Sequence, residues 1–147
     1  MRILRNEDRG SSSFEPSEEF FYRTEWGGNL SGIVALSESK LLVLEARGGR
    51  IFQVSLDGAE DVSDEENLAA TNATPLEKEL LVDVGEDCPL PSRDKDSFGL
   101  LEGISLGPKL PDGRQTLLVV SDDGYSASEK TRMIMLGIRL RDRAIGS

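Results

Sequence analysis

Two stretches of the chain are built alike. "LSGIVAL" (30–36), "KLLVLEA" (40–46) and "RIFQVSL" (50–56) are short apolar runs, separated by the turn residues "SES" and "RGG" and followed by "DG". Roughly 70 residues further on, "LEGISLG" (101–107), "TLLVVSD" (116–122) and "TRMIMLGIRL" (131–140) follow in the same order. Runs of this length with period-two alternation, clearest in Arg50–Leu56, read as strands, and the tight turns between them join neighbours antiparallel. "LSGIVAL" matches "LEGISLG" at Leu, Gly and Ile, and "LLVLEA" matches "LLVVSD". Repetition of a unit of three to four strands is the mark of propeller blades. The expected fold is all-β: antiparallel β-meander blades of a β-propeller-like fold, about two of them. Closing a propeller takes about four blades or more. These blades are therefore expected not to close, and to leave open sheet edges through which the chain self-associates.

The remaining segments are polar. Residues 1–18 are charged and serine-rich, contain Pro16, show no periodicity, and are expected to be disordered. The β domain is expected over 19–141, beginning at the aromatic "FFYRTEW", with polar loops at 57–75 and 85–98 and a tail at 142–147. "EKELLVDV" (77–84) reads as one more strand. The acidic cluster Asp61, Asp64, Glu65 and Glu66 lacks the alternating Asp and central Gly of an EF-hand, and reads as a solvated surface. Asn29-Leu30-Ser31 and Asn72-Ala73-Thr74 have the form of glycosylation sequons, a pattern that chance supplies often.

Composition removes several functions. The 147 residues suit one domain, and they carry a net charge of −10. An isoelectric point near 4.5 goes with it. Such a chain repels phosphate backbones and anionic bilayers, so no nucleic-acid partner is expected. No run approaches the ~20 apolar residues of a membrane span. The N-terminus lacks the apolar core of about 7–15 residues that a secretory signal needs, which leaves the compartment open. There is no histidine, so Ser-His-Asp and Cys-His catalysis are excluded within this chain. Cys88 is the sole cysteine, and no intrachain disulfide can form. In "CPLPSR" the spacing from Cys88 to Arg93 is one residue short of the phosphate-cradling loop of cysteine phosphatases, and the two prolines make it a stiff loop.

Acidic residues recur at strand ends. Glu45 closes "KLLVLE", and Asp122 lies at nearly the same point of the second block, with Asp123 beside it. Glu102 precedes the Gly of "LEG", where the first block has Ser31. In a propeller the innermost strands line a channel, where carboxylates from neighbouring blades would converge. Converging carboxylates suit Ca2+, which takes about 6–8 oxygen ligands. They also suit acid–base chemistry, because mutual repulsion raises one pKa. Glu45, Glu102, Asp122 and Asp123 are thus the candidate metal ligands, and Glu102 and Asp122 the candidate catalytic pair. Asp123, in Asp-Asp-Gly, also fits a plain turn. Arg47, Arg50, Arg114, Lys130 and Arg132 are the cations available to a phosphate; Arg47 and Arg132 are the expected substrate-binding residues. The stretch Arg47–Arg50 reads as a hairpin tip as well.

The segment "LLEGISLGPKLPDGRQTLLVVSDDGYSASEKTRMIMLGIRL" resembles the C-terminal part of the phytase-like family, also described as the esterase-like domain of phytases. The family pattern runs N-x-E-G-[IM], L-P-D-G-R, then a strand ending S-D-N-[ND]. "FYRTEWGGNLSGIVALSESKLLVLEARGGRIFQVSL" is similar to its preceding part. The resemblance covers about residues 20–141. It implies a β-propeller-like fold and hydrolysis of a phosphorylated small molecule, with acidic residues as the active or cation-binding groups. On it, Glu102 matches the acid of E-G, Asp122 the acid of S-D, and Glu45 the acid of L-L-V-L-E. Leu100 or Leu101 stands where the family often has Asn, and Asp123-Gly124 replaces an Asn pair. The alternative is a non-catalytic interaction module, or an inactive fragment of a longer phytase-like protein.

Overall fold

A computed structural model describes residues 1–8, 10, 13–25, 28–46, 49–69, 72–88, 101–125 and 130–140. Among them the chain forms nine strands and one short helix. Strands β1 (Arg2–Asp8) and β2 (Phe14–Phe21) make a hairpin. Strands β3 (Leu30–Ala35), β4 (Lys40–Glu45), β5 (Arg50–Ser55) and β6 (Lys78–Asp83) follow one another in a four-stranded antiparallel sheet. Helix α1 (Val84–Asp87) is a single turn capped by the Asp83 side chain, which accepts from the Glu86 amide. Strands β7 (Leu101–Lys109), β8 (Gln115–Ser121) and β9 (Met133–Ile138) make a three-stranded antiparallel sheet. The all-β meander is as the strand pattern required. The described sheets do not close into a ring.

The continuous apolar run of β4 follows from burial on two sides. Leu41 and Val43, with Phe52 and Val54 of β5, face one core; Leu42 and Leu44, with Ile51, face the other. Two dry faces give β4 its unbroken apolar run, whereas β5 alternates although it is dry on both faces too, with Gln53 fully buried and Ser55 nearly so. The first core is completed by Ile3, Phe20 and Tyr22. The second is completed by Leu101, Leu117 and Val119, so the two sheets pack face to face. Gly32 permits the close approach of β3 and β7: a Cβ there would lie 2.8 Å from Ile104 Cγ2.

Arg2–Asp8 and Phe14–Phe21 form strands where composition led to an expectation of disorder. Burial of a few residues outweighs their polarity. Ile3 and Phe20 enter the core, and the Tyr22 amide donates to the Met1 carbonyl at 3.0 Å. Long-range partners hold β2 as well. The Val62 amide donates to the Glu19 carbonyl at 2.8 Å, and the Leu76 amide to the Phe21 carbonyl at 2.7 Å. Asp61, from the acidic loop, accepts the amides of Glu19 and Ser63 at 3.0 Å each, which holds its carboxyl below the usual range. That carboxylate is a strap over the hairpin.

The internal repeat extends to the register. In the first sheet Leu30 pairs with Glu45 and Gly32 with Leu44, with a bulge between. In the second, Leu101 pairs with Ser121 and Gly103 with Val120, again with a bulge. Ser31 and Glu102 are therefore equivalent bulge residues. The structural counterpart of Glu45 is Ser121, one residue before Asp122. Equivalence of position does not mean equivalence of burial: Leu42 is fully buried, whereas its counterpart Leu118 is half-buried. Leu42→Ala is expected to cost about 2–5 kcal/mol and Leu118→Ala clearly less. Urea midpoints of the two variants measure this, and equal losses would contradict the two-faced burial.

Candidate functional site

The strand-end acids fall into two separate environments. Glu45 alternates with Leu41 and Val43, and so points into the first core. Its carboxylate is 2 % exposed. Oε1 accepts from the Tyr22 hydroxyl at 2.8 Å and from Lys78 Nζ at 2.7 Å; Oε2 accepts from the Glu25 amide at 3.0 Å. Lys78 crosses the first sheet to reach it, its ammonium 4.2 Å from the centre of the Phe52 ring and 4.9 Å from that of Tyr22. A buried carboxylate needs compensation on this scale, because desolvating an isolated charge costs far more than folding supplies. Tyr22 takes the complementary role. Burial, then the hydrogen bond to Glu45, pushes its hydroxyl far above the ordinary tyrosine value and keeps it a neutral donor.

Glu102, Asp122 and Asp123 lie on the second sheet. The Leu101–Ser121 pair sets their placement: Glu102 follows the first member along β7, and Asp122 follows the second at the end of β8. Both side chains are exposed. Asp123 is half-buried, and its Oδ1 accepts the Tyr125 amide at 3.0 Å, the turn bond its sequence suggested. Arg132 enters β9 at the same corner. Its amide donates to Ser121 Oγ at 2.9 Å, and its carbonyl accepts the Ser121 amide at 2.9 Å. Lys130 is exposed nearby in the chain. The fold thus assembles Glu102, Asp122, Asp123 and Arg132 at one end of the three neighbouring strands β7, β8 and β9. It leaves Glu45 on the far side of the first sheet from them.

The other cations have different settings. Arg50 Nε donates to Asp83 Oδ2 at 2.9 Å, and its guanidinium lies 3.7 Å from Glu25. Arg114 pairs with Asp112 at 2.7 Å in the β7–β8 turn, at the opposite end of the sheet. Arg47 lies outside the described residues, as does most of the 85–98 loop. Cys88 is half-buried, and burial pushes its thiol upward, with Asp87 and Asp83 adding to the effect. That environment disfavours a nucleophilic thiolate. Among the described residues no three Asp, Glu or Cys side chains come together as a metal-binding group. Glu45 has its oxygens filled by protein donors, and Glu102 and Asp122 supply two carboxylates.

Two features escaped the sequence. Lys78 and Tyr22 lie 33 and 23 positions from Glu45, and nothing local links them to it. Tyr125 is fully exposed at φ 59°, directly after Gly124 at φ 58°. A bulky residue in the left-handed region is an outlier. Its signal was present in "DDGY", a turn with an aromatic where small residues are usual.

An all-β protein with exposed acids and an arginine at one corner of a three-stranded sheet is the class that the fold and site define. Within it, a family model described as phytase-like, esterase-like activity of phytase, matches residues 2–125. The chain belongs to the phytase-like family. The match takes in the β1–β2 hairpin, which packs as part of the domain, and stops before β9. No curated protein and no solved structure matches the chain.

Removing one partner of the buried pair should be costly. Lys78→Met and Glu45→Ala are each expected to destabilise by about 3–5 kcal/mol, and the Glu45→Gln/Lys78→Met double variant by less than either. Chemical denaturation of the set checks this. Tyr22 adds a pH dependence. Its folded pKa is raised, so its contribution is complete below the unfolded value of 10.0 and declines as pH rises past it. Denaturation midpoints that fall more steeply above pH 10 in the parent than in Tyr22→Phe are expected.

Proposed function

We propose that the chain is a phosphoric-ester hydrolase relative acting on a phosphorylated small molecule, with Glu102 and Asp122 as its acid–base pair. The family match over residues 2–125 carries this reading. The exposure of the two carboxylates on adjacent strands supports it, since both are open to water and substrate. In the proposed step one carboxylate takes a proton from water as its oxygen bonds to phosphorus. The ester P–O bond breaks, and the departing alkoxide takes a proton from the other carboxyl. Arg132, and Arg47 from outside the described residues, would hold the phosphate oxygens. A calcium ion would need water or further ligands beyond Glu102, Asp122 and Asp123, so its participation is a separate question with its own arm in the test.

A second reading is favoured by the setting of Glu45. Of the strand-end acids, this one is committed to holding the N-terminal segment on the sheet. A non-catalytic module, in which the family acids have become structural, accounts for that arrangement.

Phosphate release from phytate and from an aryl phosphate, with added calcium and with chelator, separates the readings. Glu102→Gln and Asp122→Asn are each expected to lower release by about 10²–10⁴-fold, with stability within about 0.5 kcal/mol of the parent because both sites are exposed. Release that is absent from the folded parent, or unchanged in both variants, would overturn the hydrolase reading.

A further inference from the structure

The second sheet has an apolar face that nothing in the described structure covers. Met133 is 69 % exposed and Met135 74 %. Leu118 and Val120 beside them are half-buried. The repeat says what such a face does elsewhere in the same chain. Val120 pairs with Met133 and Leu118 with Met135, as Leu44 pairs with Ile51 and Leu42 with Gln53. Leu42, Leu44 and Ile51 are completely buried, because a sister sheet packs on them. The equivalent surface one unit later is a sheet-packing surface without its sheet. Single exposed apolar residues are ordinary, but four neighbours on one sheet face mark a contact surface.

Charge selects the occupant. Residues 101–140 carry five Lys or Arg and five Asp or Glu, whereas in residues 1–100 acids outnumber bases by 21 to 10. Two copies of so acidic a chain repel through most of their surface and least through this neutral sheet. The charges at the ends of the face are also arranged in opposition. Glu102, Asp122 and Asp123 lie at one end with Lys130 and Arg132, three acids to two bases, and Glu102 and Asp122 are exposed there. At the other, Arg139 is exposed, and the Arg114 guanidinium lies over Gly137, where a Cβ would be 3.3 Å from Nη1. Asp112 offsets one of those arginines through its bond to Arg114.

We infer that the chain forms a two-fold dimer by packing this face of the β7–β9 sheet on the same face of a second copy. The two-fold axis lies between the sheets and runs across the strands. That orientation sets the acidic end of each copy over the basic end of the other at the rim of the contact, where side chains stay accessible to solvent and Glu102 and Asp122 remain open; an axis along the strands would set like over like. A two-fold pair uses the same patch twice and closes on itself, so association stops at two. Sheets packed in this way interdigitate the side chains of their inner faces. This contact differs from pairing along the open strand edges. The edge of β9 is flanked by Arg132 and Arg139, and antiparallel self-pairing about Met135 and Leu136 would set those arginines opposite each other.

Sedimentation equilibrium of the full chain is expected to give twice the 16.1 kDa chain mass. Met135→Glu and Met133→Glu should each halve it with an unchanged circular dichroism spectrum, because both side chains lie on the exposed face. A parent that remains monomeric at the highest soluble concentration overturns the inference. So does a dimer that survives both substitutions, which would use an edge instead. Methionine oxidation reads the same contact without any substitution. Met1, which is 48 % exposed, serves as the internal reference. Sulfoxide formation at Met133 and Met135 relative to Met1 should be slowed severalfold in concentrated protein and recover on dilution. A ratio independent of concentration overturns the dimer even where the glutamate variants fail to fold.

Discussion

The β4–β5 pair is dry on both faces, and the rest of the structure follows from covering it. One face takes the hairpin and Tyr22; the other takes the β7–β9 sheet. The two covers differ: the β7–β9 sheet brings Leu101, Leu117 and Val119 with Ile104, Leu106 and Leu136 beside them, whereas the hairpin brings few apolar side chains. The hairpin contributes Ile3 and Phe20 from strands whose other residues are mostly polar, with Leu4 and Phe14 left exposed. Its order depends on meeting an apolar surface already formed by the meander, together with backbone hydrogen bonds from Val62 and Leu76. An isolated two-stranded hairpin is marginal in water. This one is a lid, folded because of what lies beneath it.

The same burial determines what an acid can do. Glu45 and Glu102 both sit at the bulged ends of strand pairs. Glu45 faces inward, so its charge must be neutralised by protein, and Lys78, Tyr22 and the Glu25 amide do so. Glu102 faces outward on the second sheet and keeps its hydration. Chemistry at a carboxylate needs oxygens that substrate or water can reach. That requirement, and not the motif, separates the two residues.

How much of this was legible in the sequence varies by element. β3, β4, β5, β7 and β8 were readable nearly to the residue, because short apolar runs between turn residues have few other solutions. The equivalence of Ser31 and Glu102 was readable from the L-x-G-I match. Setting "LLVLEA" against "LLVVSD" places Glu45 opposite Ser121 with Asp122 one residue further on, and the paired registers agree. The hairpin was misread for a physical reason: polarity averaged over 18 residues hides the few that anchor it. Asp123 was legible as a turn residue, because the bond to the Tyr125 amide is local.

By itself the sequence determined the strands, their antiparallel order within each sheet, the repeat, and the membership in the phytase-like family. All of these rest on short-range periodicity and on motifs contiguous along the chain. The tertiary structure alone decided which faces are dry, that Lys78 reaches Glu45 across 33 positions, and that Glu102, Asp122 and Arg132 share a corner without Glu45. Those outcomes depend on sheet packing and side-chain direction. A sequence records which residues alternate; it does not record which of a strand's two faces another sheet will cover.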